Sequence, residues 1–439
     1  MDHIEQTYQA LHFDTARAVR LLGHLPARTL TPDVVAAVCA VDRAQAQRVL
    51  TDLLTGNLVQ DSRTGQDRDN GFPLMCALHE NVSESARRWA DVEPQNVRDE
   101  ALRRWVEWYL AAATAAEARL SPSHRTLPRT PHFIPISAAS DHFTYAGDRD
   151  VVEWLDRNRP ELLEAIAAAH AAQWYDLTWQ LVDATQPLWV RRRHVDDWIA
   201  VHTRYGIPAA EQDRRHPRAL RRMLTTLAAG LRSAGRHDEA LEHYRRAAEL
   251  ARKEADRSDP TVRRDEAQAL HGMGDTHRQA GRYASALPFL RQALAIREEI
   301  GYVRGAALTR LVLADITAER RNWDTARDLL VRARADLLAV PDPHDAARAL
   351  AFLGRARARC DDYQAGVSEL VAAGGEFTEA GSPHWSARTC EWRGEAARDA
   401  GLHQVARTCF TDARAQYAAL QSLRDVSRLD EHLRMLDTV

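Results

Sequence analysis

The residues of this 439-residue sequence that could do covalent or metal chemistry stand apart from one another. His79 and Glu80 open the run HENVS, which begins like the zinc-binding helix HExxH, but Ser83 occupies the place of the second histidine. No GxSxG elbow occurs, and no Cys-His pairing is suggested by spacing. The five cysteines, Cys39, Cys76, Cys360, Cys390 and Cys409, are odd in number and follow no CxxC spacing, which points to reduced thiols. Lys253, the only lysine, lies in ARKEADR and lacks the glycine-rich turn and following Ser or Thr of a phosphate-binding P-loop. The histidines come singly, as do His243, His277 and His403. The sequence therefore reads as non-enzymatic, with no catalytic residue, metal or cofactor expected.

Arginine is what the chain offers for recognition, because its planar fork grips carboxylates and phosphates bidentately. One cluster comprises Arg191, Arg192, Arg193 and His194, then Arg214, Arg215, His216, Arg218, Arg221 and Arg222. It adjoins a stretch holding Trp154, Trp174, Trp179, Trp189 and Trp198. Tryptophans at helical spacing are core more often than platform. Trp189 and Trp198, with Arg192 and Arg193, are the exceptions expected to form a basic-aromatic site for nucleotides or single strands. The net charge of −3 excludes wholesale attraction to nucleic acid.

The elements that must position these groups repeat. Gly235, Gly281, Arg321, Asp361 and Gly401 succeed one another at intervals of 46, 40, 40 and 40 residues. Each is followed five residues on by a small residue (Ala240, Ala286, Ala326, Gly366, Ala406), then by an apolar one (Tyr244, Leu290, Leu330, Leu370, Phe410), then by Ala247, Ala293, Ala333, Ala373 or Ala413. Such a period belongs to a helix-turn-helix solenoid whose turn residue tolerates left-handed backbone and whose small residues let paired helices cross closely. Counting back from each turn, the first helices should line the inner wall with Arg222, Thr225 and Arg232, then His271, Asp275 and Arg278, then Leu311 and Asp315. Arg348, Arg355 and Arg359 follow, and Arg388, Glu391, Glu395 and Arg398 complete the series. Arginine dominates both ends of that series.

Upstream, residues 11–78 read as a winged-helix unit. A helix through Val19 and Leu22 is followed by Thr31-Pro32, a cap and first helical position, and then by a third helix carrying Ala46, Val49, Leu50 and Leu53. Two short strands, Leu58-Val59 and Phe72 to Leu78, flank the polar loop SRTGQDRDNG, the expected wing. The third helix offers Arg43, Gln45, Gln47 and Arg48 to DNA, although residues 1–90 hold nine arginines against eleven acids.

The run from TYQALHFDTARAVRLL to LLTGNLVQ, closing on ALHENVSESARRWA, resembles the winged-helix segment that follows the nucleotide-binding domain in bacterial STAND (NB-ARC type) regulators. The family continues into helical repeats, so the likeness extends over nearly the whole chain. The resemblance implies that Leu78, His79 and Glu80 stand at the family's Leu-His-Asp motif, whose histidine meets nucleotide phosphates, with Glu replacing Asp. No nucleotide-binding domain lies upstream in this sequence.

The expected architecture is all-α apart from the wing. It comprises a winged-helix domain (1–90), a connecting helix and Pro-rich linker (91–148), Trp-rich degenerate repeats (149–213), and regular tetratricopeptide-like repeats with a capping helix (214–439). Six or seven helix pairs should form a right-handed superhelix. With no apolar run of membrane-spanning length and no signal segment, the chain reads as cytoplasmic. The expected partner is a protein, a peptide or an anionic small molecule held by the repeats, with the winged helix as a packing lever in a sensor or adaptor. A DNA-binding regulator gated through the repeats is the alternative, and an accessory or atypical biosynthetic enzyme is a third reading.

Overall fold

In the computed structural model, residues 3–64, 74–122, 127–144, 146–254, 256, 258–360 and 362–437 are described. The chain forms two compact units interleaved in sequence. One takes Met1–Ala115, Pro128–Thr144 and Arg157–Ala184; the other takes Ala116–Leu127, Tyr145–Asp156 and Thr185–Val439.

The first unit opens with α1 (His3–Gln9), α2 (Phe13–Gly23), α3 (Pro32–Cys39) and α4 (Arg43–Thr55). Thr31 Oγ1 accepts from Val34 N at the start of α3, with Pro32 in the first turn. Asp42 and Gln45 close a reciprocal capping box at the start of α4. Strand β1 (Val59–Asp61) pairs antiparallel with β2 (Cys76–Leu78), Val59 opposite Leu78, and Leu30 bridges Cys76 from the other side. Val19, Leu22, Val35, Val38, Leu50 and Leu53 form the buried centre. Of the expected wing loop only Ser62, Arg63 and Thr64 are described, and the start of the expected second strand, Phe72 and Pro73, also lies outside the described residues.

Helices α5 (Glu80–Ala90) and α6 (Gln95–Leu120) follow. Residues 132–134 of the Pro-rich stretch after α6 lie outside any helix that would satisfy their backbone. Fully buried Glu107 does so instead, accepting the N–H groups of His132 (2.7 Å), Phe133 (2.6 Å) and Ile134 (2.9 Å). Helix α7 (Asp148–Arg157) bridges to α8 (Arg159–Ala171), which packs on α9 (Tyr175–Ala184).

In the second unit the Trp-rich region breaks into short pieces: α10 (Gln186–Arg192), α11 (Val195–Val201), a π turn at His202–Gly206, and α12 (Ile207–Gln212). Five long hairpins then succeed one another. They are α13 (Pro217–Ser233) with α14 (His237–Arg252), α15 (Pro260–Gln279) with α16 (Tyr283–Glu299), α17 (Val303–Glu319) with α18 (Trp323–Ala339), α19 (Pro343–Ala358) with α20 (Tyr363–Glu379), and α21 (Pro383–Asp399) with α22 (His403–Ala419). Helix α23 (Leu423–Asp437) caps the array. Six or seven pairs were expected; five regular ones are present among the described residues, because the Trp-rich stretch does not fold into full-length hairpins.

The turn anchors behave as the spacing requires. Gly235, Gly281, Arg321 and Gly401 have φ of 79°, 71°, 60° and 75°, the left-handed region that reverses the chain between paired helices. Asp361 lies outside the described residues. The longer first interval is shared between the seven residues that separate α14 from α15, against about three between later hairpins, and α15 itself, which has 20 residues where the later first helices have 16 or 17. All the apolar template positions, Tyr244 to Phe410 and Ala247 to Ala413, are buried. Opposite them runs a second periodic set, Gly274, Ala314, Gly354 and Gly394, on the first helices. A Cβ on Gly354 would stand 2.8 Å from the Gly366 carbonyl oxygen and 2.9 Å from Leu370 N, so the crossing there is backbone against backbone.

Candidate functional site: the inner wall of the repeats

The first helices of successive hairpins, α13, α15, α17, α19 and α21, touch one another side by side and form one wall of the solenoid. Residues forty apart therefore become neighbours. Asp315, Arg355 and Glu395 occupy equivalent positions, and Arg355 bridges Asp315 and Glu395 at 3.4 Å each. One turn on, Arg359 lies 2.8 Å from Glu319 and 3.8 Å from Asp399. Arg278 joins the ladder from the preceding repeat, donating to Asp275 (2.8 Å) and Asp315 (2.6 Å).

This half of the wall is not the arginine surface expected. Each guanidinium meets one or more carboxylates of the chain itself, and Asp315, Glu319, Glu395 and Asp399 outnumber Arg355 and Arg359. Burial alone would raise the carboxyl of Asp275, yet Arg232 and Arg278 hold it well below its usual range. Arg398 likewise turns to its neighbour Asp399 and to His432 Nδ1 (3.2 Å). The equal spacing of opposite charges was present in the sequence and would have disclosed the ladder had each position been compared with the one forty residues on.

The other half, nearer the first turns of the same helices, is built differently. Arg304 donates to Asp342 (2.6 Å) and Asp345 (2.7 Å), and Asp345 also takes Arg348 (2.7 Å). Glu391 accepts four hydrogen bonds, from Arg388, from two nitrogens of Arg428 and from the Tyr417 hydroxyl. Burial works against that charge, but Arg388, Arg428 and Tyr417 hold its carboxyl at about 2. Here the acid lies beneath and the cation above. Side-chain exposure is 0% for Glu391 against 29% for Arg388, and 8% for Asp345 against 24% for Arg348. Arg348 lies over the Trp385 ring at 5.0 Å, and Arg388 near Trp392 at 6.0 Å. Both guanidinium side chains stay partly exposed.

Arg232 reaches Tyr244 Oη (3.1 Å) and Asp275 (3.3 Å). His271 lies among Arg297, Asp275, Arg232 and Arg348, and burial with those cations pushes its imidazole well below the usual range. Arg222 is half-buried, whereas its neighbour Arg221 turns inward to Asp265 (3.0 Å) and Glu254 (2.8 Å).

The basic-aromatic site does not exist as expected. Trp189 is buried, its indole N–H donating to Thr185 Oγ1 (3.1 Å). Trp198 is buried as well, lying 3.2 Å from where a Cβ on Gly230 would stand. Both are core because the short helices carrying them pack on the hairpins rather than lying open. Arg192 turns to Asp156 (3.2 Å) and Arg191 is buried, donating to the carbonyls of Ala380 (2.7 Å) and Leu120 (3.1 Å). Helix α10 packs on α21 and α11 on α13, so residues 186–201 run from the last hairpin to the first and cover part of the wall with the protein's own chain.

In the first unit, His79 precedes α5 without capping it, and its Nε2 is enclosed without a hydrogen-bond partner; Glu80 is exposed. On α4, Arg43 pairs with Asp33 (3.0 Å) and Gln45 is spent in the capping box, leaving Gln47 and Arg48 exposed. Glu391, Glu395 and His432 bring three ligand atoms within 4.8 Å, and Glu391 there already accepts from Arg388, Arg428 and Tyr417. No described helix is long and apolar enough to cross a membrane.

Comparison with known proteins places tetratricopeptide repeats at residues 219–299. No curated protein matches the chain. Among solved structures, BtubC from P. vanneervenii is 21% identical over 52% of this chain and 92% of its own, with a TM-score of 0.40. A STAND protein with a tetratricopeptide repeat sensor from Pyrococcus horikoshii is 14% identical over 98% of this chain and 66% of its own, at 0.37. A Rap protein complexed with competence and sporulation factor is 13% identical over 82% of this chain and 93% of its own, at 0.38. Superpositions this loose carry no functional information.

Proposed function

We propose that this is a non-enzymatic, regulatory binding protein whose repeats hold an acidic segment of a protein partner along Arg232, Arg348 and Arg388. The observation that supports the reading is the layering at those positions. Buried carboxylates fix Arg348 and Arg388 from below while both stay partly exposed, and Asp275 with Tyr244 fixes Arg232, so orientation is set before a ligand arrives and little side-chain entropy remains to be lost. The ladder at Arg355 and Arg359 is a poorer site, since an incoming carboxylate there would displace one already present. Arg222, His271, Asp275, Arg278, Asp315 and Arg398 serve this reading as framework rather than as ligand contacts.

Residues 11–78 we read as a winged helix acting by packing, within a STAND-like plan; His79 and Glu80 would mark the remnant of that family's nucleotide-sensing motif. Its third helix has two of four candidate DNA contacts engaged within the protein, which favours packing over base reading.

The test is fluorescence anisotropy with labelled Asp/Glu-rich peptides. Arg348→Gln combined with Arg388→Gln should weaken binding by at least about tenfold, since charge-assisted hydrogen bonds of this kind contribute roughly 1.5–3 kcal/mol each. Arg355→Gln combined with Arg359→Gln should change it far less. Equal affinity for the wild type and the first variant would remove the proposal.

A further inference from the structure

Among the described residues, Arg193 departs from the pairing seen along the wall. It follows α10 in left-handed conformation, φ 62° and ψ 36°, and its amide is tied to the Trp189 carbonyl. That turn sends its side chain away from the neighbours: Arg192 meets Asp156, as does His194 (2.6 Å), while Arg193 makes no side-chain hydrogen bond or ion pair among the described residues. Its Nε is fully enclosed and unpartnered. The groups within electrostatic reach are Arg232, Asp425, Arg388 and Arg348. Asp425 is already committed to His384 (2.9 Å), Ser422 (2.6 Å) and Arg428 (2.6 Å). Burial and the surrounding arginines pull Arg193 down to about 10, the direction expected of a cation held in a positive field.

Arg193, at the end of α10 where that helix packs on α21, thus has three guanidinium groups within electrostatic reach, from α13, α19 and α21. Arg232 and Arg348 also have enclosed, unpartnered Nε atoms. A carboxylate is planar and is satisfied by one or two forks, whereas a phosphate monoester carries two charges on three outward oxygens and accepts donors converging from several sides. We propose that Arg193, Arg232, Arg348 and Arg388 form a site for a phosphoryl dianion, which supplies the counter-charge Arg193 lacks. The inference deepens the proposed function and rests on it, assigning the chemistry of the anion at that part of the wall.

The experiment is thermal unfolding of the full chain at constant ionic strength, with chloride, inorganic phosphate, or a phosphoserine peptide and its unphosphorylated counterpart. Inorganic phosphate should raise the midpoint of the wild type where chloride does not. Arg193→Asn, which suits the left-handed backbone, should weaken phosphate binding on the order of tenfold to a hundredfold. In phosphate-free buffer the same variant should melt no lower than the wild type, because an unpaired cation among like charges has been removed; a merely structural role would lower the midpoint. Arg193→Lys should keep part of the phosphate response. A stronger response to the phosphoserine peptide than to inorganic phosphate identifies a modified protein segment as the source, and the reverse identifies free phosphate. A phosphate shift of equal size in Arg193→Asn, or none in the wild type, overturns the inference. If acidic peptides still bind through Arg348 and Arg388 in that event, the proposed function stands alone; if they do not, both fall.

Discussion

His344 shows what burying a titratable group in this solenoid entails. It packs against Phe377 with Nε2 3.2 Å from Ser382 Oγ, and burial together with Arg191 lowers it from 6.5 to about 4. The unfolded chain therefore binds more protons than the folded one between those values. The stability that follows is fully present above pH about 6.5 and is lost as the pH falls toward 4, amounting to about 3 kcal/mol for this residue. Urea unfolding from pH 7 to 4.5 should show that loss, and His344→Gln should flatten the curve. Parallel curves for the two proteins would show that His344 is not the group responsible. Arg193 belongs to the same scale, and its path was not legible in the sequence. Counting residues placed it in a cluster with Arg191 and Arg192, but the left-handed turn and irregular short helices that separate the three have no period to read.

At the scale of the elements, the period was legible because each turn demands a left-handed residue and each crossing a small one. Gly235, Gly281, Arg321 and Gly401 satisfy the first demand, and Ala240, Ala286, Ala326 and Ala406 the second. Trp189 and Trp198 were misread as platforms because their exposure depends on where short helices dock, which periodicity does not encode. Two glycines make the packing argument testable. A Cβ at Gly354 meets backbone at 2.8 Å, so Gly354→Ala should destabilise by roughly 1–3 kcal/mol despite its better helix propensity. Gly375, in α20, has nothing within 4 Å of a Cβ, so Gly375→Ala should stabilise by about 0.5–1 kcal/mol. Denaturant midpoints of the two variants should move in opposite directions; movement in the same direction would mean the crossing is not close-packed.

Across the whole molecule, charge is nearly balanced, at −3 overall, and the arginines are largely neutralised within the fold. Salt-titrated DNA binding should accordingly be weak and unaffected by Arg43→Ala with Arg48→Ala, and a steep salt dependence lost in that variant would establish the DNA-reading alternative. The array also meets itself: Arg424 at the start of the capping helix donates to the Ser233 carbonyl at the first hairpin's turn (3.3 Å), and residues 186–201 run between the last hairpin and the first. On the proposed reading a partner enters beside the protein's own chain, along Arg232, Arg348 and Arg388. Hydrogen–deuterium exchange with and without a saturating acidic peptide measures this most directly. Slowed exchange is predicted in 217–233, 343–358 and 383–399, with the second helices of the hairpins unchanged. Protection confined to those second helices, or to 43–55, would contradict the account.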